Sequence, residues 1–245
     1  MIKLFKYIGL IVVIVVLTAV IAGYIAHQPL PTSGKAGPEA DALARKMEAA
    51  VNKSAWDQTR FVSWKFRTGT TYLWDKAEQV VRVEWGDYQV LLRTTDRTGL
   101  VYEEGQEVKN KAEKQKRLEE AWGKFANDSF WLCAPMKVFD PGTSRKICIQ
   151  EDGTEALLVH YSSGGVTPGD SYLWLLDSTG RPRAWQMWVG IIPVGGLTFT
   201  WEDWTGGGAL PQVALLHQSA ILDVPILDLR FPAYTDAENP LKALF

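Results

Sequence analysis

Between Trp56 and Trp204 apolar and polar residues alternate in a series of short segments, and all eleven tryptophans of the chain fall inside that stretch. Val62, Trp64 and Phe66 alternate with Ser63, Lys65 and Arg67; Val81, Val83 and Trp85 alternate with Arg82 and Glu84. A period of two sends successive side chains to opposite faces, so these segments read as half-buried antiparallel strands. Gly and Pro clusters separate many of them, as at Gly164-Gly165, Thr167-Pro168-Gly169, Gly195-Gly196 and Gly206-Gly207-Gly208. Tryptophan is large and stiff with one polar edge. A sheet so rich in it either encloses a bulky core or lines an apolar cavity.

Two stretches depart from this period. Residues 39–53 place Leu43, Met47, Ala50 and Val51 on one helical face, and residues 110–126 do the same with Leu118, Ala121, Trp122 and Phe125. The lysines of the second helix read as a solvated face, with contact to anionic lipid heads as the functional alternative. Strands are expected again over 130–138, 146–150, 156–161, 172–177, 183–189, 197–204, 212–219 and 221–229. The expected fold is mainly β (α+β): a strongly curved antiparallel sheet of about eleven strands forming a half-open barrel, with two amphipathic helices over its open side. Tyr172-Leu173-Trp174-Leu175-Leu176 and Ala184-Trp185-Gln186-Met187-Trp188-Val189 are apolar on both faces, which requires cover on both sides of the sheet there.

Ahead of this domain, residues 8–26 are uncharged and rich in Ile, Val and Leu, with Lys3 and Lys6 before them and His27-Gln28-Pro29-Leu30-Pro31 after. That length suits a transmembrane anchor, and the lysines predict a cytoplasmic segment 1–7 with the remainder outside, in the periplasm or beyond. The competing reading is a signal peptide cleaved near Val20-Ile21-Ala22, which would release the domain. Residues 27–38 read as a linker and 39–245 as one β domain. The formal charge of −2 gives no electrostatic case for nucleic acid. Cys133 and Cys148 flank the turn at Asp140-Pro141-Gly142; a disulfide and two buried thiols are both compatible with that placement.

The search for chemistry returns no catalytic motif. There is no Gly-x-Ser-x-Gly elbow, no P-loop and no His or Cys cluster with metal-ligand spacing, so neither a cofactor nor a metal is expected. His160 reads as an outward-facing strand residue. Glu202 and Asp203 are adjacent on a strand and point to opposite faces, so they cannot jointly flank one bond. A hydrolase would need Asp75, Glu84 and Glu202 to converge from separate strands.

Several strings resemble those of an uncharacterised bacterial family grouped with the lipoprotein-localisation factors, the LolA/LolB-like proteins. They are Trp56-Asp57-Gln58-Thr59-Arg60-Phe61, Tyr72-Leu73-Trp74-Asp75, Asn127-Asp128-Ser129-Phe130-Trp131-Leu132, Val166-Thr167-Pro168-Gly169-Asp170-Ser171-Tyr172 and Trp201-Glu202-Asp203-Trp204. The resemblance implies a half-open antiparallel barrel closed by helices around an apolar cavity that, in the localisation factors, holds acyl chains. This chain departs from a soluble carrier in having segment 8–26. The expected function is a membrane-anchored, envelope-facing binding protein for a lipid, a lipoprotein acyl chain or another apolar molecule. Trp64, Trp74, Trp85, Trp122, Trp174, Trp185 and Trp201 are the cavity candidates, with the helix around Trp122 as a possible lid. The alternative is a non-catalytic scaffold in an envelope complex, with a protein partner and the aromatics serving as core.

Overall fold

The computed structural model describes Gly23 and residues 27–242. Apart from Gly23, the expected anchor at 8–26 lies outside the described residues. Among those described, no helix is long and apolar enough to cross a membrane.

The chain is mainly β, with two antiparallel sheets and few helices. Helix α1 (Pro38–Ala50) and the short α2 (Lys53–Gln58) lead into β1 (Phe61–Phe66), β2 (Thr71–Asp75), β3 (Val80–Trp85), β4 (Tyr88–Arg93), β5 (Gly99–Glu103) and β6 (Gln106–Glu107). Helix α3 (Lys111–Cys133) follows, then β7 (Thr143–Ile149), β8 (Glu155–Tyr161), β9 (Ser171–Leu176), β10 (Pro182–Trp188) and β11 (Leu197–Thr200). The chain closes with β12 (Glu202–Gly207), β13 (Leu210–Gln218) and β14 (Asp223–Arg230). Nine strands form one sheet in the order β12-β13-β14-β1-β2-β3-β4-β5-β6, and five form the other in the order β11-β10-β9-β8-β7. The described residues thus hold more strands than the eleven or so expected. Part of the surplus comes from residues 197–204, which break at Trp201 so that β11 belongs to one sheet and β12 to the other.

One expected strand is a helix. Residues 130–133 continue α3, and residues 134–136 add a short 3-10 turn. The helical repeat is visible in retrospect: Leu118, Ala121, Phe125, Ser129 and Leu132 are all buried at spacings of three or four. Local propensity obscured it, because Phe130, Trp131 and Leu132 together read as an apolar strand. Asn110 caps the start, its side chain accepting from the backbone N–H groups of Ala112 and Glu113. Pro135 lies just past the last turn, where it cannot extend the helix. Cys133 therefore stands on a helix rather than across a hairpin from Cys148, and both thiols are free and buried.

A single apolar core takes residues from both sheets, α1 and α3. Helix α3 rests on β4, β5 and β13, so it lies across the inner face of the larger sheet. It is fastened there by Tyr72 of β2, whose hydroxyl donates to Asp128 at 2.6 Å. Asp128 is buried, and desolvation raises its carboxyl pKa despite that hydrogen bond.

The two-faced strands are covered by the chain's own ends. Tyr172 and Trp174 enter the main core, while Leu173 belongs to a small outer cluster with Cys148, Ala156 and Leu158, against which Trp188 packs. The segment read as a linker is tied down along this outer side. Gln28 pairs with Gly195 and accepts from the Trp188 indole at 2.7 Å, Ser33 accepts from the Cys148 thiol, and Lys35 bridges to Ile147. On the larger sheet Leu73, Val80 and Leu91 are covered by Leu241, and Asn239 donates to Asp75 at 3.0 Å.

Candidate functional site

The strands that carry the tryptophans leave a cleft of about 540 Å³ between α3 and the end of the five-stranded sheet. Phe125, Phe130 and Trp131 enter from the helix, Tyr161, Tyr172, Trp185 and Met187 from β8, β9 and β10, and Trp74 from β2. Loop residues 163–167 and 189–192 form its rim. Its size lies within the range of about 300–1,000 Å³ usual for small-molecule sites, and its walls combine aromatic and aliphatic side chains with polar ones, among them Asn127, Lys137, Asp140 and Asp170.

Three of the seven sequence candidates, Trp74, Trp122 and Trp185, line this cleft. The other four lie elsewhere. Trp64 stacks on Tyr72 with ring centroids 4.5 Å apart and is fully buried. Trp85 packs on Tyr88 at 5.7 Å, with the Lys124 ammonium 5.4 Å from its ring centre. Trp174 and Trp201 sit 5.1 Å apart in solid core, each about 5.0 Å from Trp185. Trp185 is the boundary: one side meets that core and the other meets the cleft. The alternation of the strands could identify inward-facing rings but not which of them would border open space.

Sequence reasoning missed Phe130, Trp131 and Tyr161, the first two because their segment was assigned to a strand. It also passed over Asp170. This buried carboxylate accepts from Thr167 Oγ1 at 2.5 Å and from the Gly190 N–H at 3.0 Å, so one side chain braces both rim loops. The signal available was Thr167-Pro168-Gly169-Asp170, a tight turn ending in an acceptor.

The cleft is apolar but not inert. The indole N–H groups of Trp74, Trp122 and Trp185 and the hydroxyl of Tyr161 are buried without a hydrogen-bond partner within the protein. Burial pushes the Tyr161 pKa well above its usual value, so the hydroxyl stays protonated and can donate. All four residues belong to the cleft wall, and a buried donor left without a partner costs about 1–3 kcal/mol. Lys137 and Asp140, paired at 2.5 Å, stand at one margin. Burial works against the Lys137 ammonium, but the Asp140 carboxylate acts the other way through its charge and hydrogen bond, and the Lys137 pKa is raised. The Cys133 thiol, also in the wall, donates to the Ser129 carbonyl at 3.1 Å, and burial pushes its pKa up to about 11. It is a packing group at neutral pH rather than a nucleophile.

Asp75, Glu84 and Glu202 do not line this space, whose carboxylates are Asp140 and Asp170. Asp75 is fully buried and engaged by Arg60, Asn239 and the backbone N–H groups of Ala77 and Glu78. Glu84 meets Arg82 and Gln89, and Glu202 is exposed on β12. His160 is half-buried beside Ser171 at 2.9 Å, and His217 is sealed beneath Trp201 at a ring distance of 4.3 Å. Among the described residues no group of His, Cys, Asp or Glu is arranged to hold a metal ion. No family model matches the chain, and no curated protein emerges as a relative.

Proposed function

We propose that this chain is a membrane-tethered binding protein, anchored by residues 8–26 and facing the envelope, that takes a lipid, a lipoprotein acyl chain or another apolar ligand into the aromatic cleft. The observation that carries the reading is the cleft itself: about 540 Å³, walled by Trp74, Trp122, Phe130, Trp131 and Trp185. Each methylene buried there would contribute ~0.8 kcal/mol, so one long chain suffices for useful affinity. The unpartnered indole and tyrosine donors favour a ligand that also carries acceptor oxygens, such as an ester or amide of a long-chain acid. In this reading the two sheets work as one wall of a half-open barrel, bent where β11 hands over to β12 at Trp201, with α3 across the opening. The resemblance to the LolA/LolB-like proteins points the same way.

The test is mass spectrometry of the full chain extracted in mild detergent, beside Ala126→Trp, which fills the cleft from α3. The expected result is near-stoichiometric lipid on the native chain and little on the variant, with both folded by circular dichroism. Equal lipid on the two, or none on either, would overturn the assignment.

A second reading, a scaffold domain in an envelope complex, draws on one observation. Ile221 and Leu222 are exposed at the tip of the β13–β14 hairpin and are not part of the cleft lining. Crosslinking from that tip should recover one constant protein partner if it holds.

A further inference from the structure

We infer that the mouth of the cleft is a membrane-contacting surface, held against the same bilayer that takes residues 8–26, so that a ligand passes between lipid and cleft without crossing water. The inference rests on reading 8–26 as an anchor, and it adds an orientation that the anchor alone does not impose.

The first observation is where the chain leaves the described domain. The Gly195 N–H donates to His27 Nδ1 at 3.0 Å, the Gln28 N–H donates to the Gly195 carbonyl at 2.9 Å, and the Trp188 indole donates to the Gln28 carbonyl at 2.7 Å. A Cβ at Gly23 would lie 3.6 Å from a Val194 methyl, and one at Gly196 would come within 2.5 Å of Gln28 Cβ. Glycine at 196 is what permits so close a crossing. His27 and Gln28, the first residues described after the apolar segment, therefore lie against the loop of residues 189–196, and Val189, Ile191 and Ile192 of that loop line the cleft. Anchor exit and cleft mouth share one loop.

The second observation is composition. Residues 162–169 and 189–196, two of the loops at the mouth, contain no Lys, Arg, Asp or Glu, and the neighbouring segment 137–142 brings only Lys137 and Asp140, which pair with each other at 2.5 Å. At their surface Ile191 is 71% exposed and Val166 48%. The turns at the other end of the same strands are charged: Glu151 and Asp152 between β7 and β8, Asp177 and Arg181 between β9 and β10. Charge is costly in a bilayer and aliphatic exposure is costly in water, so the two ends suit different solvents. Asp170 does not break the pattern, since it is buried and spent on bracing the two loops.

The experiment uses the full chain in phosphatidylcholine–phosphatidylglycerol vesicles containing some nitroxide-labelled lipid. An environment-sensitive fluorophore is placed on Ile191→Cys, on Val166→Cys and, at the opposite end, on Glu151→Cys; the native thiols are buried. Flotation checks that the protein stays with the vesicles. We expect blue-shifted emission and several-fold stronger quenching at 191 and 166 than at 151. Protein that floats with equal, weak quenching at all three sites overturns the orientation and leaves the anchor standing. Protein that does not float removes the anchor and the orientation together.

Discussion

Trp174 and Trp122 are the same residue type on inward-facing positions, yet one is sealed and the other borders open space. Trp174 is fully buried, with Trp185 and Trp201 at about 5 Å and His217 just beyond Trp201. Trp122 is half-buried on α3, with Phe125 at 6.3 Å on one side and the Arg97 guanidinium 4.7 Å above its ring. The difference follows from what lies opposite. Where β9, β10 and Trp201 meet, rings fill the inner face against one another. Toward the rim loops, α3 stands off from the sheet and leaves the cleft. Aromatic content by itself does not define a binding surface; the distance at which the second layer stops does.

The most direct way to break this comparison is by truncation. Trp174→Ala should lower unfolding free energy by about 3–5 kcal/mol, the usual cost of deleting a buried ring. Trp122→Ala should cost about 1–2 kcal/mol, because its ring is only partly removed from water. Urea denaturation of the two variants measures both, and equal losses would erase the distinction.

A second test uses the histidine in the sealed region. Burial holds the His217 pKa down at about 4 from the ordinary 6.5. The unfolded chain therefore takes up this proton at a higher pH than the folded one. Stability from this group is complete above pH 6.5 and drains as pH falls toward 4, by roughly 1 kcal/mol per pH unit. His217→Phe should flatten that slope in denaturation midpoints taken across the window. A variant that keeps the native slope there would mean that other groups set it.

Smaller effects belong to the cleft. Trp122→Ala should weaken binding of a fluorescent acyl ester about tenfold, roughly 1.4 kcal/mol, in an equilibrium titration. Trp64→Phe, behind the cleft wall rather than in it, should leave that affinity unchanged. Tyr161→Phe removes a hydroxyl that has no partner in the protein, so stability should hold or rise by up to about 1 kcal/mol. The same variant should bind an acyl ester about threefold more weakly and a plain alkane no differently. Equal effects on ester and alkane would show that the hydroxyl acts by shape alone.

How much of this was legible beforehand depends on the range of the interaction. The alternating strand at Val62, Trp64 and Phe66 and the helical face of residues 39–53 follow from neighbours a few positions apart, and both appear close to where they were expected. Residues 130–133 did not, because a run of aromatics is equally apolar as helix or strand and only the surface beneath it decides. The break at Trp201 was hidden for a similar reason: residues 197–204 keep a strand's composition while changing sheets. The cleft wall was half legible, since alternation marks a face but not what stands across from it.

By itself, then, the sequence determined a β-rich domain with tryptophans turned inward, an apolar segment ahead of it, and strands that needed cover on both faces. These are consequences of period and composition, which act locally. Tertiary structure decided that the N-terminal strap and the C-terminal tail supply the outer cover, that Asp170 braces two loops, and that Trp74, Trp122 and Trp185 border one space while Trp174 and Trp201 close another. Those outcomes depend on contacts between residues far apart in the chain. The hydrophobic effect that drives them has no direction, so only the packing of the whole domain selects which apolar surfaces meet.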